Sequence, residues 1–196
     1  MAHHYTTPAI ILDSHPQGEL HRTVTLFTKE FGMIYGIARR ARMPNSKLRG
    51  LLQKSFLGVV TLVRGKRAWK VVGAIEECNT YYTLRDTPEG RLLAARMHWL
   101  LLRLVKGEEK NEHLYAILET FSRYLVDQKN NEEYLPALER LTALRMLSAL
   151  GYASLESTFL PFLQEEPITE EALQYVKQMQ SLATREINKA LEASNL

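Results

Sequence analysis

The apolar residues of this chain change their spacing near Leu84. Before it they recur mainly at every second position, as in strands with one buried face, and after it at about every 3.6 positions, as in amphipathic helices. Strands followed by helices predict an α+β protein in which the two kinds of element are segregated. We therefore predict a β domain over residues 1–80 and an all-α domain over residues 81–196.

The first domain is predicted to contain five short strands in antiparallel arrangement. Gly36, inside the third strand, indicates a bulge or a bend. Trp69, Val71 and Ile75 are expected to share one face of the fifth strand. A long excursion separates the third strand from the fourth. The predicted strands span residues 9–15, 20–28, 33–38, 56–63 and 68–76.

This strand count matches an OB-fold, a small barrel that binds oligonucleotides on one face. An SH3-like barrel has a similar count and is the alternative architecture. In the second domain, Pro88 favours the start of a helix, Gly151 favours the end of another, and Thr169 favours a cap. The predicted helices span residues 88–106, 110–128, 132–150 and 170–179, with 181–193 as a further helix or a continuation.

Positive charge is concentrated between residues 39 and 70, which include ten Lys and Arg and no Asp or Glu. Residues 1–80 contain 12 Lys plus Arg and 5 Asp plus Glu, a balance of +7, whereas residues 81–196 contain 13 and 17, a balance of −4. Like charges at this density repel one another and indicate a polyanionic ligand, most simply a nucleic acid backbone. Ordinary solvated surface cations are the alternative interpretation. The predicted DNA-binding residues are Arg39, Arg40, Arg42, Lys47, Arg49, Lys54, Arg64, Lys66 and Arg67.

Three aromatic side chains of the first domain are candidates for stacking on bases: Tyr35, Phe56 and Trp69. Packing in the barrel interior or under the helical body is the favoured interpretation for each of them. The sequence therefore predicts binding through phosphates before binding through bases.

Other classes of function find little support. Cys78 is the one cysteine, so the chain cannot form an internal disulfide or a multi-thiolate zinc site. The sequence lacks the common metalloprotease, deaminase, phosphate-loop and hydrolase motifs. Acidic and histidine side chains near the first turn (Asp13, His15, Glu19 and His21) suggest a nuclease only weakly. We expect a non-enzymatic protein without signal peptide or membrane span in a reducing cytoplasm.

Short segments spread along the chain resemble the RecO family of bacterial recombination mediators. They include residues 9–14 (AIILDS), 25–28 (TLFT), 46–50 (SKLRG) and 147–152 (LSALGY), in family order and spacing. The resemblance implies an N-terminal OB-fold, a helical body, binding to single- and double-stranded DNA, and annealing of complementary strands. It also implies partnership with RecR and contact with single-strand binding protein, with RecF left open, in the bacterial cytoplasm at the nucleoid.

Two features depart from the family pattern. Many members have four zinc-binding cysteines after the LGY segment, whereas residues 154–166 contain none, so no metal is expected. The chain is also shorter than family proteins usually are, which suggests a reduced or truncated member. Arg140 and Arg145 are candidates for an acidic tail of single-strand binding protein, but ordinary solvated helix charges are the favoured interpretation. The remaining alternative function is a scaffold whose basic patch binds an acidic protein.

Overall fold

A computed structural model of the chain describes residues 3–66, 68–128, 132–152, 158–163 and 167–194. The chain forms two compact units. The first consists of Met1–Thr83 and Val105–Glu112, and the second of Leu84–Leu104 and His113–Leu196. The segment Val105–Glu112 therefore packs with the N-terminal unit, although the sequence pattern assigned it to the helical domain.

The N-terminal unit contains a closed five-stranded barrel. Its strands are β1 (His4–Gln17), β2 (His21–Thr28), β3 (Gly32–Ala38), β4 (Phe56–Arg64) and β5 (Trp69–Asn79). The strand order around the barrel is β1-β2-β3-β5-β4, and β4 closes it by pairing antiparallel with β1. Only β3 and β5 run parallel, through the pairs Gly36–Trp69 and Ile37–Lys70. The OB-fold and the α+β class predicted from the sequence are confirmed.

Successive side chains of β2 and β3 point alternately into the barrel and out of it. Val24, Leu26 and Ile34 belong to the barrel core, so the residues between them point outward. Opposite residues of antiparallel strands share a face. Thr25 therefore lies beside Tyr35 on the outer surface.

Two details of the strand predictions are wrong. Gly36 marks no bulge, because β2 and β3 pair without interruption past it; instead a Cβ there would lie 2.9 Å from Cγ2 of Val71 in the barrel interior. The register slips elsewhere, at Leu12 in β1 and at Glu77 and Val72 in β5. The slip at Val72 affects the predicted face of β5. An extra residue reverses the faces that follow, so Ile75 is 70% exposed although Trp69 and Val71 are buried.

Seven helices occur in the part of the chain that the structure describes. They are α1 (Thr80–Thr83), α2 (Pro88–Leu104), α3 (Glu112–Asp127), α4 (Leu135–Ala149), α5 (Leu160–Leu163), α6 (Glu170–Gln178) and α7 (Gln180–Ala193), with a 3₁₀ turn at Glu132–Tyr134. In the second unit α4 is central and contacts α2, α6 and α7. The predicted cap is confirmed, since Thr169 Oγ1 accepts a hydrogen bond from the Ala172 amide.

Arg145 of α4 is buried, so the prediction of a solvated side chain is wrong for it. Its Nε donates to the Phe162 carbonyl at 2.9 Å and its Nη2 to the Pro167 carbonyl at 3.2 Å. These bonds fasten the connection before α6 to the central helix, which is a structural role. Arg140 is half-buried and donates to Oγ1 of Thr184.

Candidate nucleic-acid interface

The turn after β3 exposes two adjacent arginines, Arg39 and Arg40. Arg40 has a φ of 54°, a left-handed conformation that costs a residue with a Cβ about 1–2 kcal/mol. Its amide donates to Nδ1 of His21, at 3.1 Å, from the start of β2. This bond requires that Nδ1 of His21 carry no proton. His21 therefore helps to hold the turn that presents the two guanidinium groups.

Arg42 fastens the same loop to the turn between β1 and β2. Its amide donates to the Leu20 carbonyl at 3.1 Å, and its Nη1 donates to the Gly18 carbonyl at 2.6 Å. Arg42 is exposed and keeps its charge, but part of its guanidinium is engaged in holding the loop. Its role is therefore to position the turn at least as much as to meet a ligand.

The turn between β4 and β5 adds the exposed Lys66, and the start of β5 adds the exposed Lys70. Lys70 is brought beside β3 because it pairs with Ile37 in the parallel part of the sheet. Lys70 belongs to the basic stretch of the sequence but is not among the predicted DNA-binding residues. The β3–β5 pairing, which joins strands far apart in the chain, is the reason that it belongs to the site.

Two neighbouring surface depressions gather these side chains. One, of about 660 Å³, is lined by Gln17, Gly18, His21, Ile37, Arg39 and Arg40. The other, of about 330 Å³, is lined by Ile37, Arg39, Gly65, Lys66, Ala68, Trp69 and Lys70. Ile37 and Arg39 line both, so the depressions adjoin each other. We call Arg39, Arg40, Lys66 and Lys70 the rim cluster, and none of the described residues lining the two depressions is acidic.

Arg64 lies at the base of the same β4–β5 turn but is paired. Its Nη2 is 3.1 Å from Oε2 of Glu108, in the segment Val105–Glu112. The other carboxylate oxygen of Glu108 accepts from Nε1 of Trp69 at 3.1 Å. The guanidinium also lies 4.9 Å from the centroid of the Trp69 ring. Glu108 thus neutralises one of the predicted DNA-binding cations.

Lys54 is paired as well. Its Nζ lies 2.5 Å from Oδ1 of Asp13, whose other oxygen contacts His15. Burial alone opposes ionisation of Asp13, but hydrogen bonds from Lys54, His15 and the Ser14 amide outweigh it and lower its pKa. Lys47 and Arg49 are exposed in the loop before β4 and do not line the two depressions. Arg67 lies outside the described residues.

The aromatic candidates divide in two. Trp69 and Phe56 are 3% and 0% exposed, which confirms the prediction that they pack in the barrel. Tyr35 is 65% exposed on the outer face of β3, so the packing prediction is wrong for it. Tyr35 points outward because its two neighbours on β3, Ile34 and Gly36, face the barrel interior and successive strand residues face opposite sides.

The acidic and histidine side chains near the first turn do not gather into a catalytic group. Asp13 and His15 pair with each other, and His21 accepts from the Arg40 amide. Among the described residues, no three His, Cys, Asp or Glu side chains are placed to hold a metal ion. Of the helices in the same residues, none has the length and apolar content needed to cross a membrane.

Comparison with known proteins gives a consistent result. Residues 1–80 match the family described as Recombination protein O N terminal. A DNA repair protein RecO of Nitrosospira multiformis is 30% identical over 146 residues, which cover 74% of this chain and 57% of that protein. A DNA repair protein RecO of Gloeothece citriformis is 29% identical over 170 residues, which cover 86% of this chain and 58% of that protein. The chain thus spans less than two thirds of the length of these relatives.

Proposed function

We propose that this chain, whose first 80 residues are a RecO-family N-terminal domain and whose similarity to RecO proteins extends over most of its length, acts in DNA repair and recombination. Its proposed role is that of a non-enzymatic mediator that binds DNA and promotes annealing of complementary strands. The observation that carries the proposal is the rim cluster, four exposed cations around two adjoining depressions that no described acidic residue lines.

The position of the cluster supports a nucleic acid as the ligand. OB-folds bind oligonucleotides on the face of strands 2 and 3 and on the loops that join strands 1–2 and 4–5. The depressions are lined from the β1–β2 turn, from the end of β3 and from the β4–β5 turn. The cations of the rim cluster therefore lie where such a barrel meets a phosphate backbone.

Phosphate contacts carry little sequence information, so the same cations serve single and double strands. If each cation of the rim cluster neutralises one phosphate of a single strand, the logarithm of affinity falls with the logarithm of salt at a slope of about −2.8. A fourfold increase in salt then weakens binding by about 50-fold. Annealing follows if cations bound to one strand reduce its repulsion of a second.

The helical unit is proposed to recruit protein partners. By family resemblance these are RecR and single-strand binding protein, with RecF as a further candidate, so that recombinase is loaded on protein-coated DNA. The proposed location is the bacterial cytoplasm, at the nucleoid. No membrane partner is proposed.

A pair of charge reversals tests the DNA site. Arg39→Glu with Lys70→Glu changes two cations that line one depression and leaves the loop anchor Arg42 intact. We expect at least a tenfold loss of affinity for a fluorescent oligonucleotide and a salt slope smaller by about 1.4. Arg185→Glu with Lys189→Glu on α7 makes the same change in net charge and is expected to have little effect. An affinity that falls equally in both variants, or in neither, would reject the rim cluster as the site.

The alternative functions have their own tests. If the basic patch serves an acidic protein, the wild-type chain will show no salt-dependent affinity for DNA. If it is a nuclease, labelled DNA incubated with Mg²⁺ or Mn²⁺ will accumulate cleavage products. We expect binding without cleavage.

A further inference from the structure

The outer face of β2 and β3 is open at one end and closed at the other. At the closed end Phe27 and Met33 are buried, and the Met33 amide donates to the Gly107 carbonyl. At the open end Tyr35 is 65% exposed, with only the small side chain of Thr25 opposite it on β2. A large aromatic ring is thus presented to solvent in the open half of this face.

Tyr35 lies near the rim cluster through Ile37. Along β3, Ile37 follows Tyr35 on the same face, about 7 Å away, the repeat of alternate residues in a strand. Ile37 lines both depressions, pairs with Lys70 of β5, and is followed by Arg39 in the turn after β3. Tyr35 lines neither depression itself, but the residue next to it on its face does.

We propose that Tyr35 is a stacking platform for a nucleobase and that it makes the barrel favour single-stranded over double-stranded nucleic acid. The inference rests on the proposed function, because it assigns a base subsite to the surface that holds the phosphates. A single strand exposes the faces of its bases, whereas a duplex buries them against one another. A base stacked on Tyr35 leaves its backbone free to follow β3 towards Ile37 and Arg39.

In this proposal the rim cluster and Tyr35 contribute different parts of the binding free energy. The rim cluster attracts any phosphate backbone and gives the dependence on salt. Tyr35 contributes stacking, which does not depend on salt through counterion release and which tolerates any base because every base has a π face. Thr23 and Thr25, which lie opposite Ile37 and Tyr35 on β2, offer hydroxyl groups beside the stacked base.

Abasic DNA isolates this contact. We would measure the affinity of the wild-type chain for an oligonucleotide of about 16 nucleotides, for the abasic strand of equal length, and for the duplex. The same three ligands would be tested with Tyr35→Ala, Tyr35→Phe and the control Tyr82→Ala. Tyr82 is a matched control because it is a 53% exposed tyrosine of the same unit, on α1.

We expect Tyr35→Ala to bind the normal single strand roughly 5- to 150-fold more weakly, the range measured for removal of one stacking aromatic. Its affinities for the abasic strand and the duplex, and its salt slope, should match those of the wild-type chain. Tyr35→Phe and Tyr82→Ala should bind as the wild-type chain does.

Two kinds of failure are distinguishable. If the wild-type chain binds all three ligands with salt-dependent affinity but Tyr35→Ala binds the normal strand unchanged, the base platform is rejected and the phosphate site stands. If the wild-type chain binds none of them, the proposed function itself is rejected. An equal loss for all three ligands in Tyr35→Ala would also overturn the platform, since it would show a general effect on the surface.

Discussion

A single buried histidine makes the stability of the helical unit depend on pH. His98 of α2 is 5% exposed, and burial lowers its pKa to about 4, against 6.5 in an unfolded chain. As the pH falls through 6.5 the unfolded chain takes up a proton that the folded chain does not bind until about pH 4. The contribution of His98 to the free energy of unfolding therefore decreases as the pH falls from 6.5 to about 4, and it no longer depends on pH well above 6.5.

We expect His98 alone to lower the free energy of unfolding by about 2 kcal/mol between pH 7 and pH 5. Urea unfolding of the wild-type chain and of His98→Leu, followed by circular dichroism at both pH values, measures the contribution as the difference between the two proteins. His113→Gln is the control, because His113 is exposed at the start of α3. If His98→Leu loses as much stability as the wild-type chain, His98 is not the group responsible.

For single residues, the sequence predicts burial correctly where buried and exposed side chains alternate without interruption along a strand. The prediction fails where an extra residue shifts that alternation. Trp69 and Phe56 were correctly predicted to be buried, whereas Ile75 was not, because one extra residue at Val72 reversed the faces beyond it. A bulge of one residue leaves no reliable mark in the pattern of hydrophobic side chains. Tyr35 was misjudged because an aromatic residue is buried more often than exposed, although the interior positions of Ile34 and Gly36 fix its face.

Between elements, the segment Val105–Glu112 and the β4–β5 turn are joined by the carboxylate of Glu108. Because carboxylate and phosphate oxygens both pair with guanidinium groups, Oε2 of Glu108 competes for Arg64 with a phosphate of DNA. Glu108 also orients Trp69 by accepting a hydrogen bond from its Nε1, and an amide oxygen can accept the same bond. The substitution Glu108→Gln therefore removes the charge and keeps an oxygen that can accept the hydrogen bond from Trp69.

We expect Glu108→Gln to bind oligonucleotides several-fold more tightly, with a salt slope steeper by about 0.7, because Arg64 becomes available to one more phosphate. The change in stability should stay within about 1 kcal/mol, the usual contribution of an exposed ion pair. Glu109→Gln, the neighbouring exposed carboxylate, is the control for net charge. Equal gains in the two variants would mean that Arg64 does not reach the strand.

The spacing of hydrophobic residues predicts the order and type of the strands and helices. It does not predict which of them pack against one another. Nothing in residues 105–112 distinguishes a linker between helices from a segment that packs on the barrel. Their position depends on tertiary contacts, such as the bond from the Met33 amide to the Gly107 carbonyl. For the same reason Lys70 entered the site only through the parallel pairing of β3 with β5.

Over the whole molecule, positive charge is segregated by sequence and then concentrated by folding. The sequence established a balance of +7 over residues 1–80 and −4 over residues 81–196. Folding divides the predicted cations further, because carboxylates pair with Lys54 and Arg64 while Arg39, Arg40 and Lys66 surround the depressions. A count of charges along the chain cannot reveal which cations are neutralised by distant residues.

This concentration of charge predicts how the chain affects annealing. At low salt the wild-type chain should accelerate pairing of two complementary labelled strands, measured by fluorescence energy transfer, and the acceleration should decline with salt in step with binding. Arg39→Glu with Lys70→Glu should lose most of the acceleration, whereas Arg185→Glu with Lys189→Glu should retain it. Loss of DNA binding and loss of annealing are expected together, because repulsion between the strands is reduced only while protein is bound to them. Undiminished annealing by the first variant, despite weakened binding, would mean that a surface other than the rim cluster brings the strands together.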